Sequence, residues 1–267
     1  MSGATTPCQV DGIAWHVGGE IARIVLCRPA QHNALTPASS RALARAIDEV
    51  LASGPRVVLL TAEGRTFCAG GDIGTFVAAG DGLDMLIDDI LNTLHPALHR
   101  LATAPVPVIA AVQGGVAGAG IGLALCADFV LGAASMKLRT GYAALGLSPD
   151  AGASYFLVRR VGAIRAQRWL MLSEAIDADE CLRCGVIDTL HPDAQLADAA
   201  EALAVRLASA ATGSLAAIKT LCGLAARDLQ SHLALEQRLL VARAGSADGK
   251  EGPRAFEQRR APRFDGL

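Results

Sequence analysis

The chain has 267 residues, of which 52% are hydrophobic and 19% charged, and 24 Lys and Arg against 26 Asp and Glu leave a formal charge of −2. That length suits one compact α/β body, which buries roughly three quarters of its unfolded surface and needs no staples. The near-neutral balance and the small aromatic set, six Phe, two Trp and two Tyr, exclude the basic stripes and stacking platforms on which nucleic-acid binding depends.

In chain order, Met1 to Gly12 has neither a basic nor an apolar leader segment, so no signal peptide and a cytoplasmic location are expected. Ile21 to Cys27 reads as a strand closed by Arg28-Pro29. Thr36 then caps a helix that starts at Pro37 and runs to Ser53, where Gly54-Pro55 stops it. Arg56 to Ala62 has the pattern of a buried strand, and Glu63 to Gly74 that of a long glycine-rich loop. Leu83 to Ala102 is helical by period. Val106 to Val112 is a strand, the glycine run from Gln113 to Gly120 is a turn, and a short helix ends near Asp128. Strands follow at Phe129 to Leu131 and near Lys137 to Thr140. From Ala151 onward the stretches to Val161, Ala163–Leu172, Asp177–Cys184, Ala194–Ala210, Ser214–Leu229 and Leu233–Ala244 all read as helix. The alternation predicts a layered α/β core followed by a helical region.

The longest uncharged stretch, Ala102 to Ala127, is broken by Pro105, Pro107 and several glycines, so no membrane span is expected. Cysteines are scattered at Cys8, Cys27, Cys68, Cys126, Cys181, Cys184 and Cys222, as suits reduced thiols in a core. Cys181 and Cys184 have zinc or redox spacing, but no second pair completes a four-ligand site, so no metal is expected.

Three segments have the composition of a chemical site. Thr66 to Asp72 is a tight turn past a buried strand, and its paired glycines expose backbone N–H groups. Gly114 to Gly122 leads from a strand into a helix through Gly and Ala, again offering N–H donors to an oxyanion. Leu145 to Ser154 reads as a helix start with Ser148 as N-cap, Pro149 at the first position and Asp150 in the first turn. His95 and His99 share one helical face, the spacing of a metal pair or a general base, though a solvated pair has the same spacing. Arg254, Arg259, Arg260 and Arg263 form a basic tail around Phe256 and Phe264.

Taken in order, Arg28-Pro29 with Asn33-Ala-Leu35, Phe67-Cys-Ala-Gly-Gly-Asp72, Pro107 to Gly114, Gly118-Ala-Gly120, Cys126-Ala-Asp128, Gly146 to Gly152 and Glu251 to Phe256 resemble the crotonase superfamily of enoyl-CoA hydratases and isomerases, from about Ile21 to Phe264. The resemblance implies an α/β fold with a core of repeated ββα turns over residues 1–200 and a helical oligomerisation region over residues 201–267. It also implies homotrimers or dimers of trimers, and an acyl-CoA substrate with no separate cofactor. The thioester oxygen would rest on the N–H groups of Gly71 and Ala119. Backbone around Ala30, Cys68 and Gly70 would follow the CoA chain, and Phe256 and Arg259 would reach CoA on a neighbouring subunit. The acyl group would lie between Thr75 and Leu101.

The two glutamates of the hydratases correspond here to Gly122 and Tyr142, both expected at the substrate pocket. What the resemblance leaves is Asp150, where isomerases of the family carry their acid. A double-bond shift needs one carboxylate, so an isomerase with Asp150 as proton carrier, converting a 3-enoyl-CoA to a 2-enoyl-CoA or carrying out a related aryl-CoA isomerisation, is the expected activity. The alternatives are a hydratase using a carboxylate from elsewhere, a dehalogenase-like or thioester hydrolase with Asp150 as nucleophile and His95 or His99 as base, and a non-catalytic acyl-CoA-binding protein.

Overall fold

The computed structural model describes residues 8–224 and, beyond them, 231, 233, 237–238, 240–242, 246–248, 251–252, 255 and 258–265. Two strands precede the first expected one. β1 (Cys8–Val10) and β2 (Ile13–His16) are antiparallel and joined by Asp11 and Gly12, which have φ of 47° and 79°. An Asp-Gly pair takes this hairpin turn because both positions need positive φ. β3 (Ile21–Leu26) alternates half-buried and buried residues, lies antiparallel to β2, and leads to α1 (Pro37–Ala52). The helix starts as the sequence predicts: the Thr36 side chain accepts from the Ser39 amide, the Ser39 hydroxyl accepts from the Thr36 amide, and Pro37 takes the first turn.

The chain then repeats one pattern, in which a long strand enters one sheet, a short strand enters a second, and a helix closes the turn. β4 (Val57–Ala62) and β5 (Thr66–Cys68) lead to α2 (Ile73–Ala79) and α3 (Leu83–Ala102). β6 (Val108–Val112) and β7 (Gly115–Ala117) lead to α4 (Ala119–Leu125). β8 (Phe129–Ala133) and β9 (Lys137–Arg139) lead to α5 (Ala153–Val161), followed by α6 (Ala163–Leu172). β10 (Ala175–Asp177), α7 (Ala178–Arg183), β11 (Thr189–His191), α8 (Leu196–Ala208) and α9 (Thr212–Gly223) complete the named elements. The large sheet has the order β1-β2-β3-β4-β6-β8-β11, and the small one β10-β9-β7-β5. β3 through β11 are parallel neighbours in the first, and β5, β7 and β9 in the second.

These are the ββα turns that the resemblance implies. Four expectations are corrected. Residues 63–74 are not one loop, because β5 and the start of α2 lie within them; residues 113–120 contain β7; and the chain beyond Asp150 is not wholly helical, since β10 and β11 edge the two sheets. Three-residue strands are too short to show a period and owe their conformation to pairing. The fourth is the helix start expected at Ser148 and Pro149, since α5 begins at Ala153. The expected division at residue 200 falls inside α8, and the expected helices over Ser214–Leu229 and Leu233–Ala244 lie partly outside the described residues.

The large sheet is apolar on both faces, as parallel strands covered on both sides must be. Val58 and Leu60 of β4 belong to the main core with α1, α3 and α4, whereas Val57 and Leu59 face a second core closed by α8. That helix turns Leu196, Ala200, Ala204 and Ala208, one residue every four, onto the strands. Where β6 and β8 begin, Asp128 accepts from the Val108 amide at 2.9 Å and pairs with Lys219 of α9 at 2.8 Å.

One buried side chain braces the site from below. Asn33 (2% exposed, φ 54°) accepts from the Arg28 amide at 2.7 Å and donates to the carbonyls of Glu63 at 3.0 Å and Thr66 at 2.7 Å. It ties the segment after β3 to the turn that leads into β5. Asn33→Ala strands these groups and puts Ala at a left-handed φ, so chemical denaturation should show a loss of about 2–4 kcal/mol.

Candidate active site

Two glycine turns meet where β5 and β7 end. Gly70 (φ 89°) lies so close to the other turn that a Cβ there would stand 2.8 Å from the Ala117 carbonyl oxygen and 3.1 Å from Gly118 Cα. Gly118 (φ 49°) faces back, with Gly70 Cα at 3.5 Å from its own Cβ position. The residues that follow, Gly71 and Ala119, stand at the exits of the two apposed turns. Gly71 is bridged to Leu35, the Asp72 amide donates to the Leu35 carbonyl, and Ala119 is the first residue of α4. Among the described residues neither the Gly71 nor the Ala119 N–H has a protein acceptor. For Ala119 this follows from its place in the first turn of a helix. Both residues line a cavity of about 240 Å³.

The cavity has an apolar wall and one acidic corner. Ile73 and Phe76 of α2, Ile87, Ile90, Leu91 and Leu94 of α3, and Leu145 and Leu147 from the segment after β9 form the wall. The α3 residues recur at helical spacing and so share one face. This is the region between Thr75 and Leu101 expected to hold the acyl group, extended by Ile73, Leu145 and Leu147. Asp72 does not line the cavity; its Oδ1 accepts from the Thr75 amide and hydroxyl, both at 2.7 Å, as the cap of α2. The Thr75 hydroxyl and amide hold its carboxyl below the usual range.

Asp150 is the one carboxylate among the described residues that line the cavity. Its Oδ1 accepts from the Tyr142 hydroxyl at 2.8 Å. Burial pushes the Asp150 carboxyl above the ordinary range, against the downward pull of that hydrogen bond. Tyr142 (6% exposed) is pushed up in turn, first by burial and then by the negative charge of Asp150. Asp150 is not in the first turn of a helix, which corrects the expectation from Ser148 and Pro149. Ala151 (φ 49°) and Gly152 (φ 77°) are both left-handed, and α5 begins only at Ala153 with Gly152 as its cap. The carboxylate therefore sits on a turn ahead of the helix.

The remaining expected residues fall as follows. Tyr142 lines the cavity, but Gly122 does not: it is buried in α4, and a Cβ there would lie 1.9 Å from the Ala151 carbonyl oxygen. Cys68 is fully buried, its thiol pushed up to about 12 by burial, and it does not line the cavity, while Ala69 does. Gly70 shapes the turn without lining the cavity, and Ala30 is exposed in a short turn from Pro29 to Gln31. Arg259 is exposed with φ 53° and is not part of the cavity wall; Arg254 and Phe256 lie outside the described residues. His95 is not in the wall either. Its Nε2 accepts from the Ala151 amide at 3.1 Å, a contact with backbone that no residue pairing in the sequence foretells.

The enoyl-CoA hydratase/isomerase family model matches residues 17–266. A relative from Rhodobacter capsulatus named probable enoyl-CoA hydratase is 37% identical over 95% of this chain and 98% of its own. The 1,2-epoxyphenylacetyl-CoA isomerase of Escherichia coli is 35% identical over 97% of this chain and all of its own. Among solved structures, an enoyl-CoA hydratase from Polaromonas sp. superposes with a TM-score of 0.88 at 32% identity, over 94% of this chain and 99% of that one. A match across almost the whole length, on a fold of repeated ββα turns, places the chain in the enoyl-CoA hydratase/isomerase family.

Proposed function

We propose that the chain is an acyl-CoA isomerase that moves a double bond from the 3-enoyl to the 2-enoyl position with a single carboxylate. The observation that carries this reading is the cavity's acid content: Asp150 is its only carboxylate among the described residues, and the position of one hydratase glutamate is a glycine with no room for a side chain. The 35% identity to a 1,2-epoxyphenylacetyl-CoA isomerase supports the coarser part of it, an isomerase acting on a CoA ester.

The thioester oxygen accepts from the Gly71 and Ala119 N–H groups. The Asp150 carboxylate takes a proton from C2, and the C–H electron pair moves through the carbonyl carbon to the oxygen, giving a dienolate. Each preorganised donor lowers the barrier by about 3 kcal/mol, since charge grows on that oxygen in the transition state. The same carboxyl returns its proton to C4, the electrons fall back to form C2=C3, and the thioester carbonyl is restored. A carboxyl raised above its ordinary range is the stronger base for the first step, and one residue serves both because C2 and C4 are allylic neighbours. The apolar wall suits a hydrocarbon acyl group. Homotrimers or dimers of trimers belong to the same proposal, supported by exposed Ile164, Met171 and Leu172 on α6.

The test is the ultraviolet absorbance of conjugated thioester as 3-hexenoyl-CoA turns over, run beside hydration of crotonyl-CoA. Conjugation without hydration is expected. Hydration outpacing conjugation would favour the second reading, a hydratase, for which the name of the 37% identical relative speaks.

Tyr142 supplies a pH signature. Its hydroxyl stabilises the ionised Asp150, so Tyr142→Phe removes an influence that lowers the Asp150 pKa while burial remains. The active form is the carboxylate, and activity falls as pH drops through that pKa. The acidic limb of the kcat/KM profile should therefore move to higher pH in Tyr142→Phe. An unmoved limb would detach Tyr142 from the titration of the base.

A further inference from the structure

We infer that His95 is a positioning residue: its imidazole latches the Ala151 peptide, and that peptide aims Asp150 into the cavity. The inference rests on Asp150 being the proton carrier proposed above. A backbone amide can only donate, so the 3.1 Å contact fixes Nε2 of His95 as acceptor and places the ring proton of the neutral imidazole on Nδ1. The latched residue is unusual. Ala151 has φ 49°, a conformation that an L residue with a Cβ holds only where its surroundings enforce it.

Two elements enforce it from opposite sides. On the N–H side is His95 of α3. On the carbonyl side is Gly122 of α4, where the missing Cβ leaves the space that the Ala151 oxygen fills, and the Ala151 side chain is buried against the same helix position, 3.1 Å from where a Cβ would stand. The Asp150 carbonyl also accepts from the Ala153 amide at 2.8 Å, which closes the turn onto α5. From the turn held by these supports, the Asp150 side chain reaches the Tyr142 hydroxyl and the cavity. His95 itself is outside the cavity wall, and its Nε2 lone pair is engaged by backbone. It thus acts through Asp150 rather than on substrate.

The experiment compares wild type, His95→Ala and His95→Gln by residue-resolved hydrogen exchange of the Ala151 amide, by kcat and KM on 3-hexenoyl-CoA, and by release of free CoA thiol. In His95→Ala the Ala151 amide should exchange about 10-fold faster, as loss of one hydrogen bond implies. The kcat should fall roughly 10- to 100-fold with KM little changed, as a displaced but intact base implies. His95→Gln offers a carbonyl acceptor and should restore most of both. Unchanged Ala151 exchange or unchanged kcat in His95→Ala, or no recovery of protection in His95→Gln, would overturn the latch. So would release of CoA thiol by wild type that His95→Ala abolishes, because His95 would then be a hydrolytic base. If Asp150→Asn leaves conjugation intact, the proton-carrier reading fails by itself, and the Ala151 exchange still decides whether His95 holds the turn.

Discussion

Asp150→Asn is expected to slow conjugation of 3-hexenoyl-CoA by about 10³-fold, near 4 kcal/mol of barrier, while the CoA ester binds as before. The substitution keeps the size of the side chain and its ability to accept from the Tyr142 hydroxyl, so the turn at Ala151 and the cavity should survive. What disappears is the basic oxygen that removes the C2 proton, and among the described residues no other carboxylate of the cavity wall can replace it. The Gly71 and Ala119 amides are backbone and untouched, hence the persistence of binding and a small residual rate. Titration calorimetry with the CoA ester and stopped-flow absorbance separate the two effects. A fall in affinity with kcat preserved would assign Asp150 to binding.

The second large effect concerns the residue that most separates this chain from the two-glutamate hydratases. Gly122→Glu, which introduces a glutamate at the position that the sequence resemblance matches to one of theirs, should destabilise the protein by about 3–5 kcal/mol and confer no hydration of crotonyl-CoA. The new Cβ would stand 1.9 Å from the Ala151 oxygen and 2.7 Å from its carbonyl carbon, and these are backbone atoms that cannot swing aside. Room can be made only by moving the turn that carries Asp150, so isomerase activity should fall as well. Gly122→Ala isolates the steric part and should act in the same direction with a smaller loss, about 1–3 kcal/mol by thermal or chemical unfolding. A stable Gly122→Glu protein that hydrates crotonyl-CoA would mean that the Ala151 turn is not held against α4.

The elements most legible in the sequence are those whose ends have a side-chain cause. Thr36 and Pro37 mark the start of α1, and the apolar period marks α3, which runs from Leu83 to Ala102 as expected even with Pro96 inside it. The short strands β5, β7, β10 and β11 carry no such mark. Their conformation comes from neighbours far along the chain, as when Thr66 and Cys68 pair with Gly115 and Val116. The Asp11-Gly12 pair is a hairpin signal, but the strands on either side have only three and four residues and show no period.

The site divides in the same way. Asp150, Tyr142 and the two glycine turns are visible as residue types in order along the chain. The conformation that aims Asp150 is not, because Ala151 is an ordinary residue in a left-handed backbone, enforced by a histidine on α3 and by the absence of a side chain on α4. Ser148 and Pro149 therefore look like a helix start, and only the packing of three elements moves that start to Ala153.

The proposed mechanism assigns both proton transfers to one carboxylate, that of Asp150. It is tested most directly by turning over 3-hexenoyl-CoA carrying two deuterium atoms at C2 in light water and locating deuterium in the product by mass spectrometry. Product should carry deuterium at C4, delivered by Asp150 before the deuteron exchanges with solvent, and that product should be lost in Asp150→Asn. Product formed at an undiminished rate in Asp150→Asn, with no deuterium at C4 from either protein, would contradict it.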